Sequence, residues 1–408
     1  MNILFLHQNF PGQYKHLMPY CAARGHRVLG MGSRPAAQIP ASIPYFCYPL
    51  QRGNLPGIDS CTLEFESKII RAESCADSAV KLRDDQGFNP DVICAHTGWG
   101  EELFLKQVWP QAKVVGYCEY YYNSSGYDLD FDPEFSSNTM KSVRKSQAKN
   151  ASILLSLQGL DAGVSPTAFQ RSSYPATYRE RIRVIHDGID TAAIKPNDSV
   201  FAELRGRRLT RADEVVTFVS RSLEPVRGFH SFMRSLPSLL AQRPHARVLI
   251  IGAPDGGYGA HPEVPFKQQL LNELEGQLDL DRIHFLGRVP YADFQRLLML
   301  SRCHVYLTVP FVLSWSLMES MASGCVVVGS DTAPLHEVMR HGENGLLVDF
   351  FDPQALADQV AAVLADPGAY EPLRQAARRT IVEGYERDLC LQQHLDLIEA
   401  ALRGEAWG

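Results

Sequence analysis

Short apolar runs rich in β-branched residues recur along this chain, most of them followed by a stretch long enough for a helix, and no other feature of the sequence restricts the fold as strongly. In the first half they are Asn2 to His7, Arg27 to Gly30, Val92 to Ala95, Lys113 to Cys118 and Ala162 to Ser165. In the second half they are Val215 to Ser220, Arg247 to Gly252, Ile283 to Leu286, His304 to Thr308 and Cys325 to Gly329. Alternating strands and helices imply parallel sheets with helices on both faces, because a parallel crossover needs a helix-length return. Each half holds about enough strands for its own doubly wound sheet. The turn-rich stretch Arg183 to Ser199, with Gly188 and Pro196, closes the first pattern and marks the junction. The expected architecture is α/β, with two doubly wound domains facing across a cleft and the C-terminal ends of both strand sets at a shared site.

Composition narrows the classes of function. The chain has 408 residues, 45% of them hydrophobic, so each domain can bury a full core. A net charge of -6 gives no electrostatic case for nucleic acid. The basic cluster Lys141, Arg144, Lys145 and Lys149 reads as a solvated helix face. The longest apolar stretch, Val305 to Met318, is broken by Pro310, Ser314 and Ser316 and falls short of the roughly 20 residues of a membrane span. The N-terminus has no basic region and passes straight into a strand, so no signal peptide is expected. The 9 cysteines form no CxxC pair, which suits buried thiols in a reducing cytoplasm. The expected location is cytoplasmic, with peripheral contact at the inner membrane face left open.

Two segments concentrate chemistry. The run Val215 to Val219 delivers Arg221 and Arg227 to a loop that ends at Gly228, where a helix can begin. In Pro310 to Asp331 a short helix is expected to open at Ser316 and stop at Gly324, and it carries Glu319. Guanidinium forks, helix-end amides and one carboxylate together suit a nucleoside diphosphate, the first two for phosphates and the last for ribose hydroxyls. Glu319 also has a local explanation, because Ser316 to Glu319 reads as a capping box. The DxD spacings in Tyr127 to Asp132 and Leu278 to Asp281 are expected to be solvated loop carboxylates rather than a metal site. Gly252 to Gly259 lacks the spacing of a phosphate fingerprint and is expected to be a flexible loop. Tyr120, Tyr121, Tyr122 and Tyr127 present aromatic faces that suit sugars or lipid tails, or equally a buried aromatic cluster.

Motifs over nearly the whole length resemble the family 4 glycosyltransferases, retaining enzymes of the GT-B fold known also as glycosyl transferases group 1. FPGQYKHLMPYCAARGHRV resembles the family's opening glycine loop, helix and strand, and PDVICAH its strand ending in histidine. VIHDGIDT resembles the interdomain motif, RSLEPVRG the phosphate loop, NGLLVD a late strand and GYERD the crossover helix. The resemblance implies residues 1–190 as an acceptor-side Rossmann-like domain, 191–383 as a nucleotide-sugar domain and 384–408 as a crossover helix packing back on the first domain.

It further implies that Arg221 and Arg227 hold the donor diphosphate, the second standing where the family has lysine, so that a planar fork replaces a point charge. Ser316, Leu317 and Glu319 would complete the nucleotide contacts, with Arg288 and Val289 at the base and Gly12 either at the phosphates or a plain turn glycine. His96 matches the histidine beside the donor sugar. Phe311 replaces the first glutamate of the family pair, and Phe311, Ser314 and Trp315 would shape the sugar pocket. His7, Gln8 and Asn9, with Tyr120 and Tyr121, would line the acceptor side.

The function so implied is retaining transfer of a hexose-type sugar from a UDP- or GDP-type nucleotide sugar to a hydroxyl acceptor, in polysaccharide, glycolipid or glycoconjugate synthesis. It uses no cofactor and no metal. An epimerase or phosphorylase on the same fold, or an inactive nucleotide-sugar-binding subunit, is the alternative.

Overall fold

The computed structural model describes residues 1–35, 40, 42–135, 139–257 and 262–405. The chain divides into two units, one of Met1–Asp130, Ser137–Gly188 and Asp388–Gly408, the other of Phe131–Ser136 and Ile189–Arg387. The handover between Gly188 and Ile189 falls inside the turn-rich stretch, and the chain returns between Arg387 and Asp388. The excursion of 131–136 into the second unit has no counterpart in the sequence pattern.

The first unit contains β1 Asn2–Leu6, β2 Arg27–Gly32, β3 Tyr45–Cys47, β4 Val92–His96, β5 Lys113–Tyr117, β6 Ala162–Ser165 and β7 Ile182–Val184. They form one sheet in the order β3-β2-β1-β4-β5-β6-β7, parallel throughout. Strand β1 shows why the sheet is wound on both faces. Leu4 and Leu6 belong to one apolar cluster with Cys75, Ala79 and Leu82 of the helix Leu63–Gln86. Ile3 and Phe5 point the other way, into a cluster with Leu17 and Met18 and with Leu391, Leu395 and Ile398 of the helix Arg387–Arg403. A period of two along a fully buried strand needs apolar partners on both sides.

The second unit contains β8 Phe201–Leu204, β9 Arg207–Thr210, β10 Val215–Ser222, β11 Arg247–Ala253, β12 Ile283–Gly287, β13 Cys303–Tyr306, β14 Val326–Ser330 and β15 Leu346–Val348. Strands β8 and β9 make a separate antiparallel hairpin, and the others form a parallel sheet in the order β12-β11-β10-β13-β14-β15. Phe218 of β10 stacks on Phe232 of the helix Phe229–Gln242 with ring centroids 4.6 Å apart, while Val215 on the opposite face joins Leu317, Met318 and Met321. Truncating a ring packed this way typically costs about 3–5 kcal/mol.

In both parallel sheets the strand order reverses beside the strand of the sheet that comes first in the chain, between β1 and β4 and between β10 and β13. Crossovers leave in opposite directions there, which opens a crevice at the strands' C-terminal ends. The residues following β1, β4, β10 and β13 are therefore the ones placed to bind a ligand. No helix among the described residues is long and apolar enough to cross a membrane.

Candidate functional site

In the second unit β10 runs on to Ser222, so Arg221 lies in the strand itself, where it is exposed. A short turn of helix, Pro225–Arg227, then leads to Gly228 at φ 62°. A side chain is excluded at Gly228 twice over, by the left-handed backbone and because a Cβ would lie 2.4 Å from Leu307 Cβ. That close approach seats Arg227 beneath the loop that follows β13. Arg227 is 8% exposed, and its Nη1 donates to Thr308 Oγ1 at 2.9 Å and Val312 O at 2.8 Å, with Tyr306 OH at 3.4 Å. Its guanidinium carbon lies 5.7 Å from the ring centre of Phe311, itself buried. The two hydrogens of Nη1 are thus spent on the protein, while Nε and Nη2 make no hydrogen bond among the described residues. Arg221 and Arg227, alike in the sequence, therefore differ: one is an exposed strand residue and the other a buried fork with two of its five donors used.

The helix after this loop, Trp315–Ala322, is capped two residues earlier than its sequence suggests. Its N-cap is Ser314, whose Oγ accepts from Ser316 N at 3.3 Å and from Ser316 Oγ at 3.0 Å. Ser314 N in turn donates to Tyr306 OH at 2.7 Å. The capping box expected at Ser316 does not form, because with the cap at Ser314 the third helical residue is Leu317 and Glu319 sits too deep in the helix to reach back. Leu317 N bonds Ser314 O and its side chain is fully buried in the apolar core. Trp315 is exposed. Glu319 is 5% exposed and accepts a hydrogen bond from Tyr291 OH. Burial and then the Glu319 carboxylate raise the Tyr291 pKa, so the phenol stays protonated and donates. Tyr291 opens the helix that follows Arg288, which is exposed, and Val289, which packs on the core.

In the first unit the switch point brings together His7, after β1, and His96, which ends β4, with ring centroids 5.8 Å apart. Trp99 lies against both rings, and Tyr117 against His96. His96 Nδ1 accepts from Gly98 N at 3.0 Å, which leaves Nε2 to carry the proton, 3.3 Å from Glu119 Oε2. Around His7 two donors converge, Asn9 N at 3.0 Å from Nδ1 and Trp99 Nε1 at 3.2 Å from Nε2. A neutral imidazole has one accepting nitrogen, so only one of these can be a hydrogen bond at a time. Burial, helped by His96, lowers the His7 pKa to about 4. Gly12, at φ 50°, covers His7 so closely that a Cβ would lie 2.6 Å from the ring. Gln8 is half-buried and Asn9 exposed. Tyr120 is buried, donating to Asp128 Oδ1 at 2.7 Å, and Tyr121 packs on the core with its amide bonded to Ser173 Oγ at 3.0 Å.

Behind the histidines, Thr97 to Glu102 places two adjacent glutamates in the interior. Tyr48 OH donates to Glu101 Oε1 at 2.5 Å and Ser156 Oγ donates to Glu102 Oε1. The second oxygen of each has no hydrogen-bond partner among the described residues. Burial pushes the Glu101 pKa up to about 8 and raises that of Glu102. Arg71, which donates to Trp99 O at 2.6 Å, works against the shift at Glu101.

The DxD carboxylates of Tyr127 to Asp132 are not solvated as expected. Asp130 accepts from Gly126 N at 3.0 Å, and Asp132, 4% exposed, lies 3.2 Å from His230 Nε2 in the second unit. Phe135 packs on the same imidazole at 4.8 Å, which is how 131–135 is held to the second unit. Asp279, by contrast, is exposed and paired with Arg282 at 2.6 Å. In the glycine loop after β11, Gly257 presses on Glu224, and residues 258–261 lie outside the described residues.

Residues 24–194 match the glycosyl transferase family 4 group, and residues 200–380 match the glycosyl transferases group 1. The chain belongs to the family 4 glycosyltransferases. Among curated relatives of this glycosyltransferase family member, the D-inositol 3-phosphate glycosyltransferases of Nocardioides sp. and Acidothermus cellulolyticus are 30% and 33% identical over 208 residues, which is 48% of this chain. The matched stretch spans 44% and 43% of those relatives' own lengths. Among solved structures, sucrose-phosphate synthase from Thermosynechococcus elongatus aligns with a TM-score of 0.75 at 18% identity, covering 99% of this chain and 100% of that one. Anabaena HepE in complex with UDP aligns with a TM-score of 0.68 at 17% identity, covering 98% and 100%. At such identities the likeness is one of fold, and that fold is GT-B, two Rossmann-like units.

The sequence reading placed Arg221, Arg227, Ser316 and Glu319 on elements that converge at the β10–β13 switch point, and His7 and His96 at the other. It missed Tyr291, Trp99, Glu101, Glu102 and Glu119. Adjacent glutamates ordinarily mark a solvated surface, and the available signal here was the Gly98-Trp99-Gly100 run that follows β4 and turns the chain inward.

Proposed function

We propose that the chain transfers a hexose-type sugar from a nucleoside diphosphate sugar to a hydroxyl acceptor with retention of configuration. The observation that carries the reading is Arg227, a guanidinium fixed at the switch point of the second unit, with two of its five donors held by Thr308 and Val312. Its remaining nitrogens, Arg221 and the N-terminus of the helix Trp315–Ala322 would stabilise charge growing on the leaving diphosphate, a task for which preorganised donors suffice. Glu319 and Tyr291 would meet the ribose, and Arg288 and Val289 the base. His96, which presents Nε2–H, would touch the donor sugar, and the residues around His7 would serve the acceptor. A UDP-type donor is favoured by Anabaena HepE, whose solved complexes hold UDP and UDP-glucose. In this proposal no metal takes part.

A second reading, an inactive nucleotide-sugar-binding subunit, is favoured by Phe311, which packs against Arg227 where an acidic side chain would otherwise accept sugar hydroxyls. Turnover of UDP-glucose and GDP-mannose in excess EDTA separates the readings. Release of nucleoside diphosphate under EDTA supports the transferase; binding by thermal shift without turnover supports the subunit. Activity that vanishes in EDTA and returns with manganese overturns the metal-free mechanism.

A further inference from the structure

The hairpin β8–β9 closes through Arg205 and Gly206, at φ 48° and φ 76°, a two-residue turn with both central residues left-handed. Such turns favour Asn, Asp or Gly at the first position, and an arginine held there is strained. Arg205 overlooks a pocket of about 290 Å³ that is lined also by Arg207, Leu209, Arg247, Asp281 and His284. The pocket lies at the N-terminal ends of β11 and β12, and a seven-residue strand such as β11 spans about 20 Å. It is therefore remote from the C-terminal strand ends where the nucleotide is proposed to bind.

Its polar groups are incompletely used. His284 is 5% exposed and its Nδ1 has no hydrogen-bond partner among the described residues. Arg247 Nη1 donates to Asp281 O at 2.9 Å, yet its buried Nε has none among them either. Arg205 forms no ion pair among the described residues, and Arg207 only a long one of 3.5 Å to Asp213. Buried polar atoms without partners are uncommon and call for water or a ligand. Burial and then the cations of Arg205 and Arg247 lower the His284 pKa, so an uncharged imidazole stands among guanidinium groups.

We propose that this pocket binds a small phosphate monoester, a sugar phosphate in size, through Arg205, Arg207, Arg247 and His284. Guanidinium forks match phosphate oxygens in pairs, and three of them against one lining carboxylate favour a dianion over a carboxylate ligand. The volume falls just under the range of roughly 300–1,000 Å³ usual for small-molecule sites, which admits a hexose phosphate and excludes a nucleotide sugar.

Calorimetry with glucose 6-phosphate and with inorganic phosphate tests the site. Arg205→Gly removes a cation and relaxes the turn, so its melting temperature should equal or exceed that of the wild type; Arg247→Gln keeps a donor for Asp281 O. Each should weaken glucose 6-phosphate binding roughly tenfold and leave UDP binding unchanged, whereas Arg221→Ala should leave glucose 6-phosphate binding unchanged. Stronger binding of the sugar phosphate than of inorganic phosphate identifies the ester as the ligand class; equal binding limits the site to the phosphate group and overturns the sugar-phosphate assignment. Wild-type affinity in the Arg205→Gly/Arg247→Gln double variant, or no binding to the native chain at millimolar ester, overturns the proposal. Loss on Arg221→Ala would place the ester in the nucleotide site instead, against this proposal but not against the transferase reading.

Discussion

The two units share a strand order about their switch points and have opposite electrostatic character there. At β10–β13 the chemistry rests on the guanidinium groups of Arg221 and Arg227, one of them fixed by a hydroxyl and a carbonyl. At β1–β4 it rests on groups that burial has made neutral, a His7 whose pKa is lowered to about 4 and a Glu101 raised to about 8. The second unit's site presents guanidinium groups, whereas in the first burial favours the neutral forms of His7 and Glu101. Such a division suits a diphosphate on one side and an uncharged hydroxyl-bearing molecule on the other. It also shows that topology fixes where a crevice lies and leaves its chemistry to a few side chains.

The largest expected effect comes from removing the fixed charge. Arg227→Ala should weaken nucleoside diphosphate binding by roughly tenfold to a hundredfold and nucleoside binding little. It should also lower the melting temperature, because Thr308 and Val312 lose a buried donor at a cost of about 1–3 kcal/mol. Arg221→Ala, at an exposed position, should weaken the diphosphate without moving the melting temperature. Calorimetry showing equal losses for nucleoside and diphosphate in both variants would remove the electrostatic half of the comparison.

The next effect tests suppression of charge in the first unit. With its folded pKa near 8, Glu101 keeps a proton that the unfolded chain releases around 4.5, so its contribution to stability is complete below that pH and is lost as pH rises toward 8. Glu101→Gln stays uncharged and still accepts from Tyr48. It should match the wild type near pH 4.5 and melt higher at pH 8, by the equivalent of about 1–3 kcal/mol. His7 has the opposite sign: its lowered pKa costs stability as pH falls from 6.5 through 4, in both proteins alike, so the difference between their melting curves isolates Glu101. A difference that does not grow with pH would mean that Glu101 is ionised in place.

How much of this was legible follows from what each level of structure depends on. The parallel sheets were readable because strands such as Val326–Ser330 are buried on both faces and leave continuous apolar runs. The short edge strands β3 and β7 and the hairpin β8–β9 carry too few apolar residues to stand out from loops, whereas β15 lies in NGLLVD, which was marked by its resemblance to a late strand. Arg221, Arg227 and Glu319 were readable from spacing, whereas their surroundings were not. Nothing local says that Arg227 spends a nitrogen on Val312, that Tyr291 reaches Glu319 across 28 positions, or that Asp132 leaves its neighbours to meet His230. Those partners are fixed by packing between elements far apart in sequence, and a misplaced cap by two residues was enough to turn Glu319 from a core carboxylate into a helix-end one.

The smallest effect decides what that carboxylate does. Glu319 is not part of a capping box, and it accepts a hydrogen bond from Tyr291 OH. If ribose hydroxyls also donate to Glu319, Tyr291 competes for the same acceptor, and the two substitutions should act in opposite directions. Tyr291→Phe removes the competitor and should strengthen uridine binding roughly threefold, while Glu319→Gln loses the charge, gains a misplaced donor and should weaken it by roughly threefold to tenfold. Pyrophosphate binding should respond to neither, since the phosphate groups are proposed to rest on the arginines. A purely structural pairing behaves differently: both variants would lower the melting temperature by a similar amount, and uridine affinity measured by calorimetry would stay at its wild-type value. That outcome would leave the second unit with a phosphate site and no ribose site, and would favour the nucleotide's diphosphate as the only part of the donor that the buried residues grip.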